Sequence, residues 1–148
     1  MIVLAPNSVQ EMHDHVALGF DLAFKYRNPA LILADGAIGQ MMEKVVLAPQ
    51  RPRKTNEEIA EECKEWAACG KGNRKERNII TSLELQSEVM EKINQRLQAK
   101  YKALEENEVR YEAINCDDAD YVIVAFGSSA RICSATVEMA RAEGLKVG

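Results

Sequence analysis

The sequence has no apolar run approaching the roughly 20 residues that a bilayer-spanning helix requires. Its first residues, Met1-Ile2-Val3-Leu4-Ala5-Pro6, carry neither the basic start nor the long apolar core of a secretory signal. An excess of positive charge is lacking too. Nineteen Lys and Arg stand against 23 Asp and Glu, for a net charge of -4, which argues against a protein held on nucleic acid by bulk charge. Histidine is scarce. His13 and His15 are two residues apart, whereas a zinc pair on a helix needs i, i+4 spacing, so both read as surface or interface side chains. Cys63, Cys69, Cys116 and Cys133 form no C-x-x-C pair, and none lies near a histidine. Zinc and iron–sulfur sites need that clustering. These absences lead to the expectation of a cytoplasmic protein with reduced thiols, without a metal site, and binding neither membrane nor nucleic acid.

Three enzyme signatures are also missing. There is no G-x-G-x-x-G, no G-x-S-x-G elbow, and no G-K-[ST] to complete a phosphate loop. The segment 70–77, Gly-Lys-Gly-Asn-Arg-Lys-Glu-Arg, has two glycines and four cations but no strand before it. It reads as a solvated basic loop, or alternatively as a docking patch for an acidic partner.

What is present is globular in character. The 148 residues, 47% hydrophobic and 28% charged, suffice for one ordinary domain or two small pieces. The stretch 28–46 is the most informative. After the turn Asn28-Pro29 comes an uninterrupted apolar run, 30–34, which predicts a strand buried on both faces of a parallel sheet. Asp35-Gly36 ends it and Gly39 follows. Ligands and partners meet open α/β sheets at the carboxyl ends of strands, which makes Asp35, Gly36, Gly39 and Gln40 the candidate functional residues. Asp35-Gly36 is equally what a simple chain reversal requires.

Residues 2–5 form a second buried-strand run, ended by Pro6. Ser8 and Glu11 have capping-box spacing. Met12, Val16, Phe20, Ala23 and Phe24 make one apolar stripe of a helix reaching about Tyr26, with Lys25 and Arg27 at its negative end. Strand, helix and strand make a parallel β-α-β unit. Pro49 and Pro52 mark a connection, and Asn56 can cap a short helix anchored by Ile59 and Trp66. From about Leu83 a long helix carries the stripe Leu85, Val89, Ile93, Leu97, Tyr101 and Leu104, backed by i, i+4 charge pairs such as Lys102-Glu106. After a turn at Asp117, Asp118 and Asp120, residues 121–126 read as a further buried strand. Gly127-Ser128-Ser129 leads into a helix from about 130 to 143, with Ile132, Ala135, Thr136, Met139 and Ala140 inward and Gly144 closing it. Its N-terminus could meet an anion or nucleotide, or Ser128 could simply cap it. Residues 145–148 open another strand, so the chain starts and stops in apolar strands. Unpaired edges of that kind favour self-association.

Several stretches, in one order, resemble a known family. They are 4–11 (Leu-Ala-Pro-Asn-Ser-Val-Gln-Glu), 20–29 (Phe-Asp-Leu-Ala-Phe-Lys-Tyr-Arg-Asn-Pro), 35–43 (Asp-Gly-Ala-Ile-Gly-Gln-Met-Met-Glu), 70–84, and 124–132 (Val-Ala-Phe-Gly-Ser-Ser-Ala-Arg-Ile). Together they resemble the alpha subunit of 2-oxoacid:ferredoxin oxidoreductases, nearest to the branched-chain type acting on 2-oxoisovalerate (3-methyl-2-oxobutanoate). The resemblance implies an α/β chain in three parts. Residues 1–48 would be the end of a transketolase-type pyrimidine-binding domain, 49–118 a helical connection, and 119–148 the start of a transketolase C-terminal-like domain.

It also implies oxidative decarboxylation of a 2-oxoacid to an acyl-CoA, with electrons passing to ferredoxin. Thiamine diphosphate, Mg, iron–sulfur clusters and CoA belong to the parent complex, and the other subunits are the expected partners. In that family the glutamate that activates the aminopyrimidine, and the substrate contacts, lie in an N-terminal part of the subunit with no counterpart here. No catalytic residue carries over, no cofactor is expected on this chain alone, and Asp35, Gly36, Gly39 and Gln40 are expected at an interface near the cofactor-bearing subunit. The alternative is a stand-alone α/β interaction or ligand-binding module without catalysis.

Overall fold

A computed structural model of the chain describes residues 1–72 and 74–148. It divides into two compact units, Met1–Ala48 with Arg110–Gly148, and Pro49–Val109.

The first unit is built on a β-α-β motif. Strand β1 (Ile2–Leu4) pairs in parallel with β2 (Ala30–Ile32), in the register Ile2↔Ala30, Val3↔Leu31 and Leu4↔Ile32. Helix α1 (Val9–Tyr26) connects them. The Ser8 side chain accepts from Glu11 N–H at 3.2 Å, as the capping-box spacing requires. The reciprocal bond shifts by one residue, because the Glu11 carboxylate accepts from Asn7 N–H at 2.8 Å rather than from Ser8.

At its far end α1 closes in a Schellman motif, with Asn28 N–H on Ala23 C=O and Arg27 N–H on Phe24 C=O. That geometry puts Arg27 in the left-handed region, at φ 47 and ψ 56. A residue with a Cβ is disfavoured there. Arg27→Gly is therefore expected to stabilise the chain by about 1 kcal/mol, seen as a higher urea midpoint. An unchanged or lower midpoint would show that the arginine side chain outweighs the backbone strain.

Two orientations differ from the sequence-based expectation. Alternation along β1 and β2 buries Ile2 and Leu4 and half-buries Ile32, but leaves Val3, Leu31 and Leu33 exposed. The sheet is covered on one face rather than both. On α1, Val16, Phe20 and Phe24 point outward, and the buried residues are Gly19 and Leu22. The reason lies at Gly19, where an added Cβ would stand 3.3 Å from Ile32 Cδ1 and 3.8 Å from Ala30 Cβ. The helix meets the sheet through its bare backbone, and a glycine contributes nothing to a stripe counted from large side chains.

Past β2, Leu33 N–H still bonds Leu4 C=O at 2.8 Å. The chain then forms the one-turn helix α2 (Gly36–Gln40), whose Ile38 is buried, at 1% exposure. Residues 41–48 run back along α1. Gln10 holds them by accepting from Val46 N–H (2.7 Å) and donating to Val46 C=O (3.1 Å), and Ala48 N–H donates to His13 Nε2 at 3.3 Å. His13 is thus a surface side chain employed in packing.

The other segment of this unit carries helix α5 (Gly127–Ala142). It starts earlier than expected, and its N-cap is Phe126, without a side-chain bond, rather than Ser128. Its buried residue is Val137, while Ile132, Ala135, Thr136 and Met139 are exposed. Arg141, on the Val137 face, fixes this rotation. Its guanidinium reaches Asp118 Oδ1 (2.7 Å), Asn115 C=O (2.6 Å) and Val147 C=O (2.7 Å). Gly144, at φ 87, completes a second Schellman motif, with Leu145 N–H on Ala140 C=O. The expected strand at 121–126 appears as a single parallel bridge, Tyr121↔Val147. Flanking bonds run from Ile123 N–H to Gly148 C=O and from Gly148 N–H to Tyr121 C=O. Nothing among the described residues covers this run, and Tyr121, Val122, Ile123 and Val124 are all exposed.

The second unit holds α3 (Asn56–Cys63) and α4 (Ser87–Asn107). Thr55, not Asn56, caps α3 in a full capping box with Glu58. Trp66 is half-buried and Ile59 exposed, so of the two expected anchors only the tryptophan is partly covered. The basic loop 70–77 includes Asn73, which lies outside the described residues. Its Arg74 is turned inward on the chain, donating to the carbonyls of Lys64 (2.9 Å), Lys71 (3.2 Å) and Gly70. That guanidinium closes its own turn, and of the four cations Lys71, Lys75 and Arg77 are the exposed ones. Helix α4 begins at Ser87 and buries none of its residues; Ile93, Leu97, Tyr101 and Leu104 are half-covered. Among the described residues no helix is long and apolar enough to cross a membrane.

Candidate functional site

Because β1 and β2 are parallel, their carboxyl ends open on one edge of the sheet, and the unit's polar machinery gathers there. After β1 the buried Pro6 leads to Asn7 and the start of α1. After β2, Asp35 is the N-cap of α2 and accepts from Ile38 N–H at 2.8 Å. The N-terminal turn of α5 reaches the same edge. Gly127, at φ 61, lies beside Pro6 C=O, and Ser128 comes next in that turn.

A second carboxylate completes the junction. Glu43 accepts from Val9 N–H at 3.0 Å and pairs with the Arg131 guanidinium, one turn into α5. Arg131 also donates to Asn7 C=O at 3.5 Å. Each acid thus sits at a positive helix end, Asp35 at α2 and Glu43 at α1.

The surroundings lower both pKa values. The Ser128 hydroxyl is the largest influence holding Asp35 below its ordinary 3.8, followed by Ile38 N–H, with desolvation opposing. The Arg131 bond does most to hold Glu43 below 4.5, followed by Val9 N–H. A carboxylate whose folded pKa is depressed adds stability that is complete above its unfolded pKa and is lost as pH falls through the folded one. Hence the difference in thermal midpoint between wild type and Glu43→Gln is expected to be full at about pH 6 and to shrink toward about pH 3. A difference independent of pH would mean that the Glu43 charge contributes nothing.

Of the candidate residues, the structure makes Asp35 the N-cap of α2, and all four, Asp35, Gly36, Gly39 and Gln40, lie on the surface. A Cβ added at Gly36 or Gly39 would meet nothing within 4 Å, and neither has a left-handed φ. The fold of this chain does not require glycine at either position. Glu43 and Arg131 were not singled out from the sequence, although both fall within the stretches 35–43 and 124–132 that carry the family resemblance. What pairs them is tertiary, since Glu43 and Arg131 lie 88 positions apart.

A parallel β-α-β unit with its polar groups on the carboxyl edge defines an α/β protein of the kind that works from that edge. Residues 1–113 match the family described as pyruvate flavodoxin/ferredoxin oxidoreductase, thiamine diphosphate-binding, and the chain belongs to that family. It is 47% identical over 147 residues to ketoisovalerate oxidoreductase subunit VorB of Methanothermobacter marburgensis, and 47% identical over 150 residues to the subunit of that name in Methanothermobacter thermautotrophicus. It is 30% identical over 164 residues to 2-oxoglutarate synthase subunit KorA of Methanocaldococcus jannaschii. These alignments cover 99–100% of the chain, and the chain spans 40% of the length of each VorB relative and 44% of the KorA relative.

Thiamine diphosphate requires a carboxylate shielded from water at its aminopyrimidine and a divalent cation at its diphosphate. Among the described residues no polar or charged residue is buried, and no three His, Cys, Asp or Glu side chains converge on a cation position. These residues do not make a pocket for the cofactor by themselves, and no chemical step is assigned to them.

Proposed function

We propose that this chain forms part of the alpha subunit of a thiamine-diphosphate-dependent 2-oxoacid:ferredoxin oxidoreductase of the branched-chain type, with a structural and interface role. The observation that carries this reading is 47% identity to two ketoisovalerate oxidoreductase subunits, sustained over 99% of the chain. In such an enzyme a branched-chain 2-oxoacid is oxidatively decarboxylated to an acyl-CoA and electrons pass to ferredoxin. Thiamine diphosphate, Mg, iron–sulfur clusters and CoA act in the assembled complex. On this reading residues 1–48 close a pyrimidine-binding domain, 49–118 connect, and 119–148 open a transketolase C-terminal-like domain.

Two surface features support an interface role. The sheet face of Val3, Leu31 and Leu33 and the α1 face of Val16, Phe20 and Phe24 are apolar and exposed. Parallel sheets are ordinarily covered on both faces, so these surfaces suit other subunits, or further copies when the chain is alone. Gly36 and Gly39 present bare backbone at the edge where Asp35 and Gln40 also lie, and a partner's close approach would account for glycines that the chain's own packing does not need.

The test is co-expression of the tagged chain with the other oxidoreductase subunits. Co-purification is expected. Gly36→Ala with Gly39→Ala should weaken it while leaving the isolated chain as stable or stabilised, by up to about 1 kcal/mol per helical glycine. A monodisperse chain recovered without other subunits would favour the stand-alone module. In the assembled enzyme, Asp35→Ala should reduce 2-oxoisovalerate-dependent ferredoxin reduction only partially. Complete loss with assembly intact would make Asp35 a catalytic residue.

A further inference from the structure

We propose that α4 is a pairing surface for a second copy of this chain, laid in parallel against the same helix of that copy. Helix α4 spans 21 residues and buries none of them. The elements that pack along one another are β1, α1 and β2, and among the described residues α4 lies so against no helix or strand. A helix of this length owes most of its stability to a covered apolar face. That face of α4 is incomplete in a single chain.

The face has heptad spacing. Met90, Leu97 and Leu104 recur every seven residues, and Ser87, Asn94 and Tyr101 alternate with them at steps of three and four. This is the a/d seam of a coiled coil, with the apolar residues at d. Met90, Leu97, Tyr101 and Leu104 are half-covered, and Ser87 and Asn94 are exposed. By the same count the ion pair Lys102–Glu106, at 4.0 Å, belongs to the outer face. Asn94 is a polar residue at an a position. Facing its own copy across a parallel pair, its amide can both donate and accept, and such a residue selects two strands in one register.

Charge decides the direction. The positions flanking the seam on one side are Glu91, Gln98 and Glu105, and on the other stand Arg96 and Lys100 with no acid. A parallel pair brings opposite flanks together and sets Lys100 of each copy against Glu105 of the other. An antiparallel pair brings like flanks together, Glu91 against Glu105 and Arg96 against Lys100, and both contacts repel. The pairing concerns α4 and does not depend on the oxidoreductase reading.

Sedimentation velocity of the whole chain at rising concentration is expected to show a dimer. Leu97→Glu, which puts a carboxylate in the middle of the seam, should weaken that dimer about 100-fold or more. Lys100→Glu should weaken it too, and adding Glu105→Lys to the same chain should restore it. None of these changes touches the exposed sheet face, so self-association that survives Leu97→Glu belongs elsewhere and overturns the proposal. Direction is read from Ser87→Cys. Under mild oxidation a disulfide joining residue 87 of the two copies is expected, located by peptide mapping with the wild-type chain as control. Antiparallel helices would hold these positions roughly 30 Å apart. A monomer at every concentration, a dimer without this cross-link, or a charge swap that fails to restore pairing would each overturn it.

Discussion

Replacing Ile38 by alanine is expected to remove about 2–5 kcal/mol of stability, the larger part of what a small unit commonly possesses. The expectation follows from burial. Ile38 is 1% exposed while its neighbours Ala37, Gly39 and Gln40 lie on the surface, so one side chain seats the whole of α2. Truncation loses the transfer energy of the removed carbons and leaves a cavity beneath a single helical turn. Ile38 N–H is also the donor to Asp35, so an unseated α2 would weaken the network at the carboxyl edge. Urea unfolding followed by far-UV circular dichroism measures the effect. Gln40→Ala, an exposed change two residues away, should stay within about 0.5 kcal/mol. If the two variants shift the midpoint equally, Ile38 is not the anchor described.

Gly19→Val should produce a loss of similar order, while Gly19→Ala should not. The alanine Cβ would stand 3.3 Å from Ile32 Cδ1, a squeeze of a few tenths of an ångström that a side-chain terminus can yield. Against it stands the gain of about 1 kcal/mol from replacing glycine within a helix, so Gly19→Ala should be close to neutral. Valine adds two further carbons at the same point, where the sheet cannot retreat without giving up the β1–β2 register. It should lose about 1–3 kcal/mol by overpacking and more through its poorer fit to a helix. The difference between the two variants is the diagnostic quantity. A well-tolerated valine would mean that α1 does not meet the sheet through Gly19.

The parallel strand pair, the long first helix and the glycine-terminated last helix were legible in the sequence because each rests on local chemistry. Apolar runs closed by Pro6 and Asp35-Gly36 delimit strands whatever packs on them. Ser8 supplies an acceptor oxygen to its own first turn, and Gly144 adopts a φ that few other residues accept. The side toward which each helix faces was less legible. Periodicity located a stripe on α1 at Met12, Val16, Phe20, Ala23 and Phe24 and one on α5 at Ile132, Ala135, Thr136, Met139 and Ala140, of which Met12, Ala23 and Ala140 are half-covered and the rest exposed. In both the buried face is another, centred on Gly19 and Leu22 in α1 and on Val137 in α5. Large side chains mark a face that can be covered. Small ones mark where backbone approaches closely, and hydrophobicity does not register them.

The site divides in the same way. Asp35 could be picked from its position after an apolar run, since strand ends are where α/β sheets expose polar groups. The pairing of Glu43 with Arg131 could not. Sequence by itself determined that an acid ends the second strand, that a glycine and serines open the last helix, and that the chain belongs to a thiamine-diphosphate oxidoreductase family. Only the tertiary structure decided that Glu43 meets Arg131 of the last helix. The physical reason is distance along the chain: an N-cap within a few residues is a local choice, whereas Glu43 and Arg131 lie 88 positions apart and meet only when the fold brings both segments together.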